Sequence, residues 1–306
     1  MQLRTPTLAV LLWTGVSFTA NAQSFVPIVL RVPASTRMLA LGDAAVASRD
    51  DDVVFYDPAQ VAIARGTSAS GERYTSSTSG GAISTVVRLA TGGVGVGASW
   101  IAYGSPFARY PVSRGDLATP GSALRSTSML ATIAIAQTYK RFRVGVAGKY
   151  LADAQGSDLQ SVVADVGVSR DVGAFGVPFT AAFAVQNIGS DFDVRPSTPG
   201  VTNALPTRYT LGAAGGWPVG LLDLAIAAQA SMLPDRFFAP AGGMELGYSW
   251  LDGYAIAGRV GVRRPEAGTR ALTAGGGIQM DRLTIDYALE TLDHGHVGQR
   301  VGLRIR

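Results

Sequence analysis

One pattern constrains this chain more than any other: from about residue 66 onward, apolar side chains alternate with small or polar ones, segment after segment, with turn residues between. In residues 281–290, Leu283, Ile285, Tyr287 and Leu289 fall on one face and Thr284, Asp286, Ala288 and Glu290 on the other, because successive strand side chains point to opposite sides. Phe142, Val144, Val146 and Tyr150 oppose Arg143, Ala147 and Lys149 in the same way, and Tyr254, Ile256, Val260 and Val262 oppose Arg259 and Arg263. Followed along the chain, the pattern predicts fourteen strands, over 66–77, 79–90, 93–103, 124–139, 142–153, 160–172, 176–189, 206–215, 221–233, 240–250, 253–263, 270–280, 282–290 and 296–305.

The predicted connections alternate in length. Those after even strands are tight: Thr91-Gly92, Lys140-Arg141, Ala174-Phe175, Gly216 to Gly220, Leu251-Asp252 and Asp281. Those after odd strands are longer, over 104–123, 154–159, 190–205, 234–239, 264–269 and 291–295, with the first hairpin near Ser77 to Ser79 as the exception. A membrane barrel with its N-terminus in the periplasm has short turns on that side and longer loops outside. Alternation alone leaves open which face is wet. Size decides it, since fourteen strands enclose a space too wide for the available side chains to fill, whereas a polar lumen needs no filling. The fold class expected is therefore all-β, a 14-stranded antiparallel transmembrane β-barrel with an N-terminal plug or hatch-like segment.

Composition agrees. Only 16% of the 306 residues are charged and 47% are hydrophobic, yet beyond the first two dozen positions no stretch stays apolar for the roughly 18 to 20 residues of a membrane helix. The N-terminus has the form of a secretory leader: a basic start through Arg4, an apolar run from Leu8 to Phe18, and Ala20-Asn21-Ala22 as a small-x-small cleavage site. The expected division is residues 1–22 as signal peptide, 23–65 as an N-terminal plug or periplasmic segment, and 66–306 as the barrel, placed in the cell outer membrane with its lipid as a partner.

Cysteine is absent, which removes disulfides, thiolate catalysis and Cys-based metal sites. The net charge of +4 comes almost wholly from arginine, Lys140 and Lys149 being the only lysines, and no basic run exceeds a pair. Scattered arginines suit a lumen and interfaces better than a phosphate-binding patch, so no nucleic acid is expected. His294 and His296 are the only histidines; they lack further metal ligands nearby, and no serine is marked as an activated nucleophile. Neither enzyme nor cofactor is expected. Asp50-Asp51-Asp52 lacks the spaced ligands of a calcium loop and reads as a solvated acidic turn. Gly93-x-Gly95-x-Gly97 and Gly275-Gly276-Gly277 lack the strand-turn-helix setting of dinucleotide loops, and suit curvature or the close approach of a plug.

By parity, Arg143, Lys149, Asp165, Asp223, Glu245, Arg259, Arg263, Asp286, Arg300 and Arg304 face the lumen, where their mixed signs suit a salt-bridge network that holds the wall. Phe107, Tyr110 and Phe192 lie in the two longest loops and are candidate anchors of an outer partner surface. Within residues 33–65, Asp57 is positioned to cap a short helix with Pro58 in its first turn. A plug that gates the pore and a periplasmic tether fit this segment equally. On this reading Tyr287→Arg should harm the barrel more than the lumenal change Asp286→Asn.

Arg37-Met38-Leu39-Ala40-Leu41-Gly42-Asp43-Ala44-Ala45-Val46-Ala47, then Asp50-Asp51-Asp52 and Tyr56-Asp57-Pro58-Ala59-Gln60-Val61-Ala62, resemble the N-terminal signature of PorV/PorQ-type outer-membrane proteins, relatives of the long-chain fatty-acid channel FadL. Ala184-Val185-Gln186-Asn187-Ile188-Gly189, Leu205 to Gly212, Ala274 to Ile278 and Ile285 to Ala288 follow in matching order. The family's usual Asn-Pro-Ala-Gly stands here as Asp57-Pro58-Ala59-Gln60, and the chain ends Leu303-Arg304-Ile305-Arg306 without a terminal aromatic. The resemblance implies a fourteen-stranded barrel whose N-terminal segment folds into or under the lumen, with Gly42, Asp51, Asp57, Pro58, Asn187 and Gly189 as signature positions. It implies a component of type IX-like secretion or surface assembly, with exported proteins or other secretion components as partners. The alternative is a FadL-like channel for hydrophobic small molecules.

Overall fold

Period-two alternation leaves a chain one economical solution, a sheet with unlike faces, and here the sheet closes on itself. The computed structural model describes residues 27–50, 52–75, 78–104, 125–154, 158–174, 177–189, 205, 207–233, 238–265 and 269–306. Its strands are β1 (Gly66–Arg73), β2 (Ser79–Arg88), β3 (Gly92–Gly104), β4 (Arg125–Tyr139), β5 (Phe142–Ala154), β6 (Asp158–Ala174), β7 (Val177–Ile188), β8 (Arg208–Val219), β9 (Leu222–Met232), β10 (Phe238–Leu251), β11 (Tyr254–Arg263), β12 (Thr269–Met280), β13 (Leu283–Leu292) and β14 (Val297–Ile305). Each pairs antiparallel with its sequence neighbours, and β1 pairs with β14 from Thr67 opposite Ile305 to Arg73 opposite Gln299, so the barrel has no free edge.

The two faces differ as hydrocarbon outside requires. Ile133, Ile135, Val144, Val146, Val260, Val262, Val301 and Leu303 stand exposed on the exterior, while Lys149, Asp165, Arg259, Asp286 and Arg300 are buried inside. An apolar exterior running from β2 round to β14 far exceeds what a water-soluble monomer presents, and lipid is the solvent that fits it. Trp100, Tyr150, Tyr209 and Phe238 stand outward toward one rim, Tyr139, Phe142, Trp250 and Tyr254 toward the other, the arrangement of aromatic belts at two membrane interfaces. Among the described residues no helix is long and apolar enough to cross a membrane.

Most strand boundaries fall within two residues of expectation, and two differ by four. The first strand stops at Arg73, so its connection to Ser79 is longer than any even-to-odd turn and the exception disappears. From Thr75 to Ser79 the sequence is Ser and Thr alone, short polar side chains with little apolar surface to pack on either face. Strand β8 runs on to Val219, leaving only Gly220 and Leu221 in the turn, with Pro218 opposite Asp223. Its ladder to β7 ends at Gly215, so Pro218 lies where only one neighbour remains and its missing N–H breaks nothing.

The lumen is filled, and by the N-terminal segment rather than by the wall's own side chains. The described residues of 27–65 fold inside the barrel as a plug containing a 3-10 turn (Ile28–Leu30), helix α1 (Thr36–Ala40) and two further 3-10 turns (Val53–Phe55 and Pro58–Ala62). Val29, Val53, Val54, Phe55 and Val61 of the plug pack on inward Val86, Ile101, Leu130, Leu151 and Val163 of β2 to β6 as one apolar core. Each such buried side chain contributes about 1.5–3 kcal/mol, so the plug docks on this half of the wall by hydrophobic burial. The opposite half, β10 to β14, meets it with charge.

Candidate functional site

The candidate site is the seam between plug and wall, and the plug's shape there is set locally. Ser35 caps α1 by accepting from the Met38 N–H at 3.2 Å. The helix ends at Gly42, whose φ of +72° and approach to the Val262 and Gly242 carbonyls, 2.6 and 2.8 Å from where a Cβ would stand, admit only glycine. The wall answers with glycines: added Cβ atoms on Gly243, Gly261 and Gly275 would strike Leu41, Gly42 and Ala40, and on β3 Gly93, Gly95 and Gly97 make room for Val61, Val54 and Phe55.

Between α1 and β10 to β14 the charges close into a ring. Arg37 donates to both Glu245 oxygens at 2.8 and 2.9 Å and to Asp50 at 2.6 Å. Asp50 accepts from Arg304 at 2.9 Å, Arg304 donates to Asp286 at 2.7 Å, Asp286 accepts from Arg259 at 2.6 Å, and Arg259 returns to Glu245. Three guanidiniums thus alternate with three carboxylates, two of the six from the plug and four from the wall, and Arg306 adds a further contact to Asp50 at 2.7 Å. Burial works against the Asp50 charge, but Arg37, Arg304 and Arg306 overcome it and hold the carboxyl well below the usual carboxylate range. The solvated acidic turn expected from Asp50-Asp51-Asp52 is therefore corrected: Asp50 and Asp52 are buried, because the plug carries them into the lumen. Asp51 lies outside the described residues.

Other links pin the seam elsewhere. Arg49 of the plug donates to Asp171 at 2.6 Å, and Asp171 is gripped from β5 by both terminal nitrogens of Arg143 at 2.9 Å. Gln229 accepts from Ala45 and Val46 N–H groups at 2.9 and 3.1 Å and donates to the Asp43 carbonyl at 2.8 Å. Lys149 pairs with Asp165 at 2.5 Å, and Asp165 also accepts from the N–H of left-handed Asn187 at 2.8 Å. Gly189 packs near Val163 and Leu205. Arg263 pairs with Glu290, and Arg300 with Glu72 at 3.0 Å while donating to the Pro33 carbonyl. Asp223 is exposed at the rim beside the β8–β9 turn and joins no ion pair among the described residues. Phe107, Tyr110 and Phe192 lie outside the described residues. No cluster of metal-binding side chains occurs among the described residues.

Arg37, Arg49, Asp171, Gln229 and Arg306 were not singled out in the sequence. Gln229 carried a usable signal, as the one amide in the alanine-rich strand β9.

Asp57 caps the turn at Pro58 by accepting from the Ala59 N–H at 2.9 Å, wholly buried against Gly167. Burial pushes its carboxyl up to about 8, against the opposing pull of Ala59 and Arg143. An acid raised on docking is held protonated while the free segment ionises, so docking weakens as pH rises from about 4 to about 8 and is level above. Asn caps as well as Asp and carries no charge. We expect Asp57→Asn to remove this slope: its melting midpoint should stay level between pH 5 and pH 8 while that of the parent falls by a few degrees. Parallel curves would show that Asp57 does not titrate in this window.

Between plug and β7 to β9 a cavity of about 260 Å3 remains. Met38, Leu41, Ala44 and Ala47 form its plug side and Pro178, Ala214 and Ala227 its wall side, with Arg37 and Arg49 at the edges. Small wall residues leave the space, and the arginines beside it are occupied by Asp50, Glu245 and Asp171. Two smaller cavities, about 50 and 60 Å3, lie toward the opposite rim beside Asn187 and Arg264.

No family model and no curated protein matches the chain. Solved structures do. The Pseudomonas putida toluene transporter TodX aligns over 88% of this chain and 96% of its own at 12% identity, with a TM-score of 0.55. The Ralstonia pickettii toluene transporter TbuX aligns over 94% and 99% at 13% identity, TM-score 0.50, and the monoaromatic hydrocarbon channel CymD over 89% and 95% at 10% identity, TM-score 0.53. At these identities the likeness is one of fold. It is to outer-membrane barrels of FadL type, and none of these matches singles out the PorV/PorQ type.

Proposed function

We propose that the protein is an outer-membrane channel for small hydrophobic molecules, gated by residues 27–65 and working without a catalytic step. The observation that carries this reading is the cavity of about 260 Å3 between plug and β7 to β9, lined mainly by Met, Leu, Ala and Pro side chains whose neighbouring charges are already paired. Such a space accepts an apolar solute without stripping water from an unpaired ion. The hydrocarbon channels that share the fold support it. The test is uptake of labelled toluene by cells carrying the parent protein or Ala227→Phe, which fills the cavity from its wall side. Uptake should drop to the level of cells lacking the protein, with the barrel still heat-modifiable on gels. Equal uptake with and without the protein would end the proposal.

A second reading, a PorV/PorQ-type carrier for exported proteins, draws on the order of the signature from Arg37 to Ala62 and on how little space is left toward the outer rim. A barrel so filled suits work done by its outer loops. Deleting residues 106–118 separates the two readings. Under the channel reading, uptake of toluene changes little or rises and surface export is untouched; under the carrier reading, exported proteins fail to reach the surface while uptake is unaltered.

A further inference from the structure

The hairpin joining β4 to β5 reads Tyr139-Lys140-Arg141-Phe142, and its turn puts two cations between two aromatic rings at the rim where the even-to-odd connections lie. Tyr139 and Phe142 both point outward, 68% and 45% exposed. Across the ladder Phe142 stands opposite Arg170 of β6, whose side chain points outward too. The Arg170 guanidinium lies over the Phe142 ring at 5.2 Å, and Lys140 Nζ over the Tyr139 ring at 5.3 Å. The rings hold both cations against the outer surface at the level where hydrocarbon gives way to headgroups.

Nothing described in the protein neutralises them. Lys140, Arg141 and Arg170 form no ion pair among the described residues, and the Arg170 Nε–H is buried without an acceptor. The carboxylate next in sequence, Asp171, faces the other side of the wall and is taken up by Arg143 and Arg49. Nor is the charge a uniform feature of this rim, since the β10–β11 and β12–β13 turns carry Asp252 and Asp281. Above the rings stand Val144 and the exposed amide of Gln137 opposite it, and beyond them Ile135 and Val146 continue the exposed apolar surface.

We propose that the Tyr139–Phe142 hairpin and Arg170 form a site for one anionic phospholipid of the periplasmic leaflet, the three cations taking its phosphate and headgroup and the Ile135–Val144 face its acyl chains. A guanidinium pre-set over a ring presents its free N–H donors to phosphate oxygens at little cost in order. A zwitterionic headgroup brings an ammonium into the same cluster and is disfavoured. Soluble phosphate has no use for the rings or the apolar face. The inference rests on the membrane reading of the barrel and is indifferent to what crosses the lumen.

The test is native mass spectrometry of the full mature protein, folded in detergent and offered palmitoyl-oleoyl phosphatidylglycerol or the matching phosphatidylcholine. The parent should retain the phosphatidylglycerol in preference. The triple variant Lys140→Gln, Arg141→Gln, Arg170→Gln should lose that preference by on the order of tenfold, while Arg282→Gln, at another turn of the same rim, keeps it. The double variant Lys140→Gln, Arg141→Gln changes only exposed turn residues and gives an intermediate loss should the triple variant fold poorly. Equal retention of the two lipids by the parent, an unchanged preference in folded triple variant, or displacement of the lipid by inorganic phosphate alone would each overturn the site. Toluene uptake by the triple variant should match the parent, which separates failure here from failure of the channel reading.

Discussion

Asp286→Asn is expected to destabilise the folded barrel by about 3 to 5 kcal/mol. The carboxylate is 1% exposed and bonds Arg259 at 2.6 Å and Arg304 at 2.7 Å. An amide presents one acceptor and one donor, so one of two buried guanidiniums is left facing an N–H. This reverses the order expected from strand parity, since Tyr287→Arg on the lipid-facing side is expected to cost about 2 to 4 kcal/mol at mid-membrane. Urea titration of both variants in lipid vesicles measures the two costs side by side. Adding Arg304→Gln to Asp286→Asn should recover part of the loss, because it removes the positive charge left in excess on the ring. A loss below about 1 kcal/mol for Asp286→Asn would mean that water reaches the ring and screens it.

That reversal marks where the sequence stops being informative. Parity says which side of the wall Asp286 occupies and nothing about what it meets there. Strand positions and faces were legible because a residue-by-residue alternation such as 283 to 290 is hard to satisfy in any other fold. The glycines at 93, 95 and 97 were also legible as places of close approach. The ring was not: Arg37 lies 208 residues from Glu245, and Asp50 lies 254 from Arg304. No local spacing encodes such pairs, and an Asp-Asp-Asp run looks like solvent-facing chain until the segment carrying it is known to be inside. The cavity was hidden for a simpler reason, since alanines at 214 and 227 read as strand filler rather than as the absence of something larger.

The same reasoning sets the largest expected change of function, that of removing the plug. Deleting residues 27–62 takes Arg37 and Asp50 out of the ring, but Glu245, Arg259, Asp286 and Arg304 remain bonded in sequence along the wall with their charges balanced. The β1–β14 ladder contains no plug residue. Closure should therefore survive, and the shortened protein should insert and stay heat-modifiable, with reduced stability from the exposed Val86, Ile101 and Leu130 surface. In planar bilayers it should pass ions in steady steps where the parent passes none. Asp50→Asn loosens the seam without exposing that apolar surface: it halves the acceptors offered to Arg37, Arg304 and Arg306, and brief openings are expected on an otherwise closed background. Should the deletion insert correctly and remain silent, the seal would lie in the loops rather than in the plug, and the gating role given to residues 27–65 would have to be abandoned.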